Sequence, residues 1–492
     1  MNQTPEEVTL FAELDDNLRN GTLQKDAMIQ VFSQYSDIYF PPVPQQELSD
    51  KLTVLYCEGM IDKNQLNEYF ASVCLYASHA ALHLDTAADQ TETLPLFVIK
   101  KTIEEMVAGL FSGQLILYYV GNTDFWVVDI SDVPKRALQE SSTEISIKGP
   151  KDAFTEELFT NMALIRKRLQ TGMLFSEMFV IGSLSKTRVS LIYLSHKANP
   201  DMIAEARQRL ETIQTESVLS SGQLEQWLSN RTYSLFPLID YIGRPDFVIE
   251  TLLRGRFAIL VDGSPMVLIG PSNFLELLKT PEDVHFPYYY VMFQRALRLI
   301  GLMLSIYLPG FWMAIATVNL DQIPLALLST VVLSREGVPF PMILEALLLL
   351  FLFELLREAG VRLPKAVGQT VGIVGGLIIG ESLIRAGLAS PTLLVVIAIS
   401  AVATFSLVNQ SLSGTVSILR IFITLSSAFL GVYGFMMAMF VILIYLCRLE
   451  SFGLAFLEPI ASLRFKEWLA AFLVDPFKRS RFSAPMLKKQ KK

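Results

Sequence analysis

The sequence predicts an α/β cytosolic region of two similar subdomains, followed by an all-α polytopic membrane domain of five or six helices. Three observations predict this. Charges are scattered through residues 1 to 290 but become rare from Ile300 to Cys447, where apolar runs dominate. A mean hydropathy of +0.41 is too high for an ordinary soluble enzyme of 492 residues. Two blocks of the front half also repeat one order of strand, helix, strand and turn.

The first block opens with the apolar run LTVLYCEGMID (52–62) and continues into FVIKKTIEEMVAGLFSGQLILYYVGNTDFWVVDI (97–130). The second opens with VSLIYLSHKANP (189–200) and continues into FVIETLLRGRFAILVDGSPMVLIGPSN (247–273). In each, a helix ends at a glycine (Gly113, Gly255), a strand follows, and a turn glycine comes eight residues on (Gly121, Gly263). Recurrence at that scale predicts two subdomains of one plan. Between them, Ala153 to Leu169 reads as an amphipathic helix, with Phe154, Leu158, Met162, Ile165 and Leu169 on one stripe, serving as a solvated connector. The domains are then 1–140, a connector at 141–170, 171–290, a transmembrane domain at 291–450 and a basic tail at 451–492.

The start, MNQTPEEVTLFAELDD, has no basic segment leading into an apolar core, so no secretory signal is expected. Three cysteines (Cys57, Cys74, Cys447) predict no disulfide framework and fit a reducing compartment. The front half is therefore expected in the cytosol. From Pro459 to Lys492 there are 9 Lys/Arg against 2 Asp/Glu, a local charge of +7 that favours the cytosolic side.

A membrane crossing needs about 20 mainly apolar residues. The candidates are 298–318, 340–356, 367–385, 391–409 and 419–447, the last long enough to tilt or kink. The run at 323–333 is short and reads as a re-entrant element, an interfacial helix or a sixth crossing. The basic tail requires an even number of crossings. The loop with Arg357, Arg362 and Lys365 prefers the same side, which works only if 323–333 does not cross.

Within 367–385, Gly368, Gly372, Gly375, Gly376 and Gly380 fall within about 140° of arc at 100° per residue, and Gln369 lies among them. Such a face allows either a close helix–helix seam or copies arranged around a narrow conduit, with Gln369 and Val371 or Val374 near its constriction. Glu345 and Glu354 lie about 13.5 Å apart along one helix axis. Glu354 has Arg357 at i+3, the start of an ion ladder. Glu345 has no local partner and is the better candidate for an ion path.

Catalytic signals are poor. His79 and His83 have an i,i+4 spacing, but nothing completes a metal site. No Walker loop, nucleophile elbow or dinucleotide fingerprint is present. No enzyme activity, cofactor, metal or nucleic-acid partner is expected.

The motifs GPKDAFTEELFTNMALIRKRL, SGQLEQWL with FPLIDYIGRPD, LLRGRFAILVDGSP, VPFPMILEALLLLFLFELLREAGVRLP, GQTVGIVGGLIIGESL and RLESFG, in that order from about 50 to 453, resemble the A subunits of GerA-family spore germinant receptors. The resemblance implies a multi-pass protein of the spore inner membrane. It implies a homo-oligomer working with a transporter-like B subunit and a lipoprotein C subunit, embedded in membrane lipid and gating monovalent cations in response to nutrient. It makes Arg166, Arg168, Arg244 and Asp246 candidates for contacts between subunits. The chain departs from the family pattern at Ile242-Gly243-Arg244-Pro245-Asp246, Lys148-Gly149-Pro150 and Glu381. A paralogous sporulation-stage membrane protein associated with the dipicolinic-acid channel, a secondary transporter and a structural scaffold are the alternatives.

Overall fold

The computed structural model describes residues 5–45, 50–81, 97–132, 146–229, 234–362, 380–407 and 409–461. They divide into two units. One holds the residues up to 229 together with 239–271, and the other holds 234–238 with 272–461.

The first unit contains two five-stranded sheets. After helices α1 (Pro5–Arg19) and α2 (Lys25–Phe32) come β1 (Ile38–Tyr39), β2 (Leu52–Cys57), α3 (Lys63–Ala81), β3 (Phe97–Lys100), α4 (Ile103–Leu110), β4 (Gln114–Tyr119) and β5 (Phe125–Asp129). The second set is α5 (Leu158–Arg166), β6 (Leu174–Ile181), β7 (Thr187–Leu194), α6 (Pro200–Thr212), α7 (Ser221–Leu228), β8 (Asp240–Ile242), α8 (Pro245–Leu253), β9 (Phe257–Val261) and β10 (Val267–Gly270). The spatial orders β1-β2-β4-β5-β3 and β6-β7-β9-β10-β8 are the same topology, so the repeat read in the sequence is a repeat of the fold. The helix-ending glycines occupy equivalent places and are required there. Gly113 has φ +88°, and a Cβ would lie 2.3 Å from the carbonyl oxygen of Met60, just after β2. Gly255 has φ +93°, and its Cβ would lie 2.7 Å from the carbonyl oxygen of Lys197, just after β7.

One feature of the predicted class is corrected. All ladders of both sheets are antiparallel, which makes the region α+β rather than α/β. The short turns at Gly121 and Gly263 dictate this for β4–β5 and β9–β10, because parallel neighbours need a long crossover. The central strands are buried on both faces. In β2, Leu55 and Cys57 enter one core while Leu52, Val54 and Tyr56 enter the other, which explains its unbroken apolar sequence.

The connector is also corrected. Helix α5 starts at Leu158 rather than Ala153, because the Asn161 side chain holds the preceding turn. Its Oδ1 accepts from the Thr155 N–H at 2.7 Å, and its Nδ2 donates to the Thr155 carbonyl at 2.6 Å. Seven of its nine residues are buried, and Phe154, Leu158, Met162 and Ile165 join the core of the second sheet. The predicted stripe is correct, but the helix is core rather than solvated connector.

The second unit is a helical bundle: α9 (Tyr288–Met313, continued by π turns at Ala314–Val318), α10 (Leu325–Ser334), α11 (Met342–Arg362), α12 (Pro391–Thr404) and α13 (Gln410–Cys447). Among the described residues two stretches, Tyr288–Val318 and Ser411–Cys447, are long and apolar enough to cross a membrane, and α10 and α12 are shorter apolar helices. Helix α9 begins ten residues before the predicted span because Asp283 neutralises Arg295 at 2.8 Å and Arg298 at 3.0 Å. Gly380 and Glu381 lie in a helical turn that ends near Arg385. Gly368, Gln369, Val371, Gly372, Val374, Gly375 and Gly376 lie outside the described residues, as do His83 and the basic tail from 462.

Helix α13 is not a single rod. Its 38 residues would extend about 57 Å as a straight helix. Gly431, at φ +62° and ψ −143°, interrupts it. The Leu235 N–H donates to the Tyr445 hydroxyl at 2.8 Å, while the Leu235 carbonyl accepts from the Thr415 hydroxyl. Thr415 and Tyr445 are thirty residues apart and would be separated by about 45 Å in a straight helix. The two arms, 410–430 and 432–447, therefore run antiparallel, and a Cβ on Gly434 would lie only 2.1 Å from the Ser426 carbonyl oxygen. Asn319, at the end of the π turns, closes the reversal: its Oδ1 accepts from the Val432 N–H at 3.0 Å. What reads in sequence as one long span is a helical hairpin.

Candidate functional site

Apolar helices leave few groups able to do chemistry, so the charged residues of the bundle are the natural place to look. Glu345 is fully buried, and its partners come from far along the chain. Its Oε1 accepts from the Ser390 N–H at 2.6 Å and from the Ser390 hydroxyl at 2.5 Å, and Arg335 stands 3.8 Å from Oε2. Ser390 is the residue before α12, so Glu345 satisfies an otherwise orphaned N–H at a helix start and places negative charge at the positive end of that helix. Glu345, which has no local partner in the sequence, is thus held by residues far along the chain. Sequence proximity could not reveal a residue forty-five positions away. Glu345→Ala is expected to cost about 1–3 kcal/mol, the usual penalty for orphaning a buried donor, and Glu345→Gln less. The apparent melting temperature of the purified chain in detergent checks this ordering.

The Glu354–Arg357 pair forms as its spacing predicts, but it belongs to a larger cluster. Arg357 donates to the Ser417 hydroxyl at 3.0 Å and to the Ser413 carbonyl at 3.2 Å. Ser417 donates to Glu354 at 3.0 Å, and Arg420 approaches the same carboxylate at 3.4 Å. The other Nη of Arg420 lies 3.4 Å from the Ser400 hydroxyl. The cluster therefore ties α11 to the first arm of α13 and to α12. Arg420 was legible in principle, as the lone charge among the 38 residues of α13, and such a residue must find a carboxylate or leave the membrane. Glu381 and Arg385 pair at 2.5 Å as their i,i+4 spacing predicts, and both are exposed.

In the first unit, the residues marked for contacts between subunits are largely engaged within the chain. Arg166, buried in α5, donates to Asp37 from Nε at 2.7 Å and from Nη2 at 3.0 Å. It also lies over the Phe111 ring, 4.1 Å from the centroid. Ser176 donates to Asp37 at 2.9 Å, and Ser36 donates its N–H to the Ser176 carbonyl at 2.9 Å. The segment 35–39 thus pairs with β2 of one sheet and bridges to β6 of the other, with the ion pair at the seam. Burial alone would raise the Asp37 carboxyl, but the Arg166 charge and the hydrogen bonds from Arg166 and Ser176 outweigh it and hold the group below the usual aspartate range. Burial, followed by the nearby Asp37 charge, pushes the Cys57 thiol well above its ordinary value, so this cysteine is a core residue and not a nucleophile. Arg244 is buried and pairs with Asp246 at 2.6 Å, while Arg168, which pairs with Asp152, keeps part of its surface open. Asp37, Ser176, Ser390 and Asn319 carried no signal in the sequence, being common polar residues with distant partners.

Together these sites bind, staple and neutralise; among the described residues none of them assembles a nucleophile with a base. The chain resembles spore germination protein XA of Bacillus anthracis, with 42% identity over 432 residues, covering 87% of this chain and 88% of that protein. It resembles the uncharacterised membrane protein YfkQ of Bacillus subtilis at 32% identity over 494 residues, covering 97% and 94% of the two chains. Among solved structures, the crystal structure of the N-terminal domain of the A subunit of the Bacillus megaterium spore germinant receptor GerK3 aligns at 27% identity with a TM-score of 0.35, covering 51% of this chain and 93% of that one. With residues 26–485 matching the family pattern, the chain belongs to the Bacillus/Clostridium GerA spore germination protein family.

Proposed function

We propose that the chain is the A-type membrane subunit of a nutrient-responsive germinant receptor in the spore inner membrane. Copies of it would assemble around a narrow cation path, acting with a transporter-like subunit and a lipoprotein subunit. The observation that carries the conduit is the glycine face of 367–385 with Gln369 upon it. Glu345, Glu354 and Arg357 have hydrogen-bond or ion-pair partners within the protomer, which favours the glycine-faced stretch over them as the lining.

The hairpin supports a consistent orientation. Both ends of α13 lie at Leu235, beside the end where the chain enters the bundle at Ser272. With α10 not crossing and α13 returning on itself, the crossings come out even. The sheet region, the basic residues Arg357, Arg362 and Lys365 and the basic tail would then share the cytosolic side, as their charges prefer. The two demands that conflict when 419–447 is counted as one span are both met.

Gly372→Leu and Gly376→Leu are each expected to abolish nutrient-triggered germination while the protein still accumulates in the spore membrane. Germination at the normal rate in both variants would refute the glycine-lined path. Recording currents from the purified protein in lipid bilayers, with and without its partner subunits, separates a channel from a scaffold.

A further inference from the structure

The loop of a membrane hairpin that reaches water is normally polar, and this one is not. From Ile421 to Cys447 the chain has no Asp, Glu, Lys or Arg, and the reversal itself reads Phe429-Leu430-Gly431-Val432-Tyr433. Phe429, Leu430 and Tyr433 are 74%, 56% and 67% exposed on the surface of the unit. The returning arm, 432–447, gives about 24 Å of helix against a hydrocarbon layer of about 30 Å.

Irregular backbone is tolerated at membrane depth only where protein groups satisfy it. The reversal meets that condition, since the Val432 N–H freed by the break is taken by the Asn319 side chain. Two residues past Asn319, Asp321 and Gln322 are exposed. We infer that the 429–433 tip is a lipid-binding surface that ends in the acyl chains of the far leaflet, capped by Asn319, while Asp321 marks the water boundary. The hairpin enters and leaves from the cytosolic side without presenting its turn to the opposite aqueous phase.

This rests on the membrane reading above, and the test keeps the two apart. Leu430→Cys, Phe429→Cys, Asp321→Cys and Val402→Cys are each made in a Cys447→Ser chain, since Cys447 is exposed whereas Cys57 and Cys74 are buried. The full chain is placed in phosphatidylglycerol–phosphatidylcholine nanodiscs. The thiols introduced at positions 430 and 429 are expected to react with a membrane-impermeant maleimide at least ten-fold more slowly than the one at position 321. A fluorophore attached in detergent before reconstitution is expected to be quenched at 430 and 402, but not at 321, by lipids brominated on the acyl chain. Val402, on α12 and 67% exposed, reports on the bundle itself. Quenching at 402 with rapid labelling at 430 and 429 overturns the tip assignment alone. Protection at 430 without quenching means that a sister chain or partner covers the tip, and also overturns it. Absence of quenching at 402 overturns the membrane reading and the tip assignment together.

Discussion

Replacing Gly431 with leucine is expected to prevent the hairpin from closing and to remove most of the folded protein from the membrane fraction. At φ +62° and ψ −143° the residue occupies backbone space that is essentially restricted to glycine, and any side chain there costs about 1–3 kcal/mol in strain. The steric cost adds to it. A Cβ would meet the Asn319 Oδ1 at 2.3 Å and the Val318 side chain at 2.8 Å, so the group that caps Val432 is displaced as well. Loss of that acceptor leaves the half-buried Val432 N–H unpaired, a further penalty of about 1 kcal/mol or more. Together these are a large share of the stability of an ordinary domain, about 5–15 kcal/mol. Gly431→Ala carries the same backbone strain with less bulk and should retain more protein. Asn319→Ala keeps the glycine and removes only the acceptor, so it should be the mildest of the three. Quantifying membrane-inserted protein and its apparent melting temperature checks the ranking. Equal accumulation of the leucine variant and the parent would mean that α13 does not reverse at Gly431.

The second large effect is expected at the seam of the two sheets. Asp37→Ala leaves Arg166 charged, buried and without its bidentate partner, and such breaks cost about 3–5 kcal/mol. Arg166→Ala should cost a similar amount, because it strands the carboxylate and opens a hole against Phe111 and Tyr35. Combining Asp37→Leu with Arg166→Met should recover much of the loss, since an apolar pair of similar volume needs no desolvation of charge. Thermal unfolding of the full chain in detergent, read from its sheet signal, measures all three.

The pair also predicts an acid response. Asp37 titrates lower in the folded chain than in the unfolded one, so the unfolded state binds the proton first as pH falls. The stabilisation is fully present above about pH 3.9, the ordinary aspartate value, and is lost as pH drops through the lower folded value. Asp37→Asn has no such proton to take up. It should start less stable at neutral pH, yet lose less of its remaining stability than the parent when both are titrated through this range.

Much of this architecture was legible in the sequence because it depends on short-range patterning. Apolar runs placed β2 and β7 and the strands after Gly113 and Gly255, and the recurring glycines at 113, 121, 255 and 263 announced the doubled fold. The i,i+3 and i,i+4 charge pairs, Glu354 with Arg357 and Glu381 with Arg385, formed as spacing alone required. Tertiary structure decided what depends on distant partners: that all ladders of the two sheets are antiparallel, that α5 is core, that Glu345 caps α12, and that Arg166 is consumed by Asp37. It also decided that residues 410–447 fold back on themselves. Hydropathy registers only that a residue leaves water, and a hairpin and a long rod bury equally apolar chains; the difference lies in one glycine's backbone angles and one asparagine more than a hundred residues earlier.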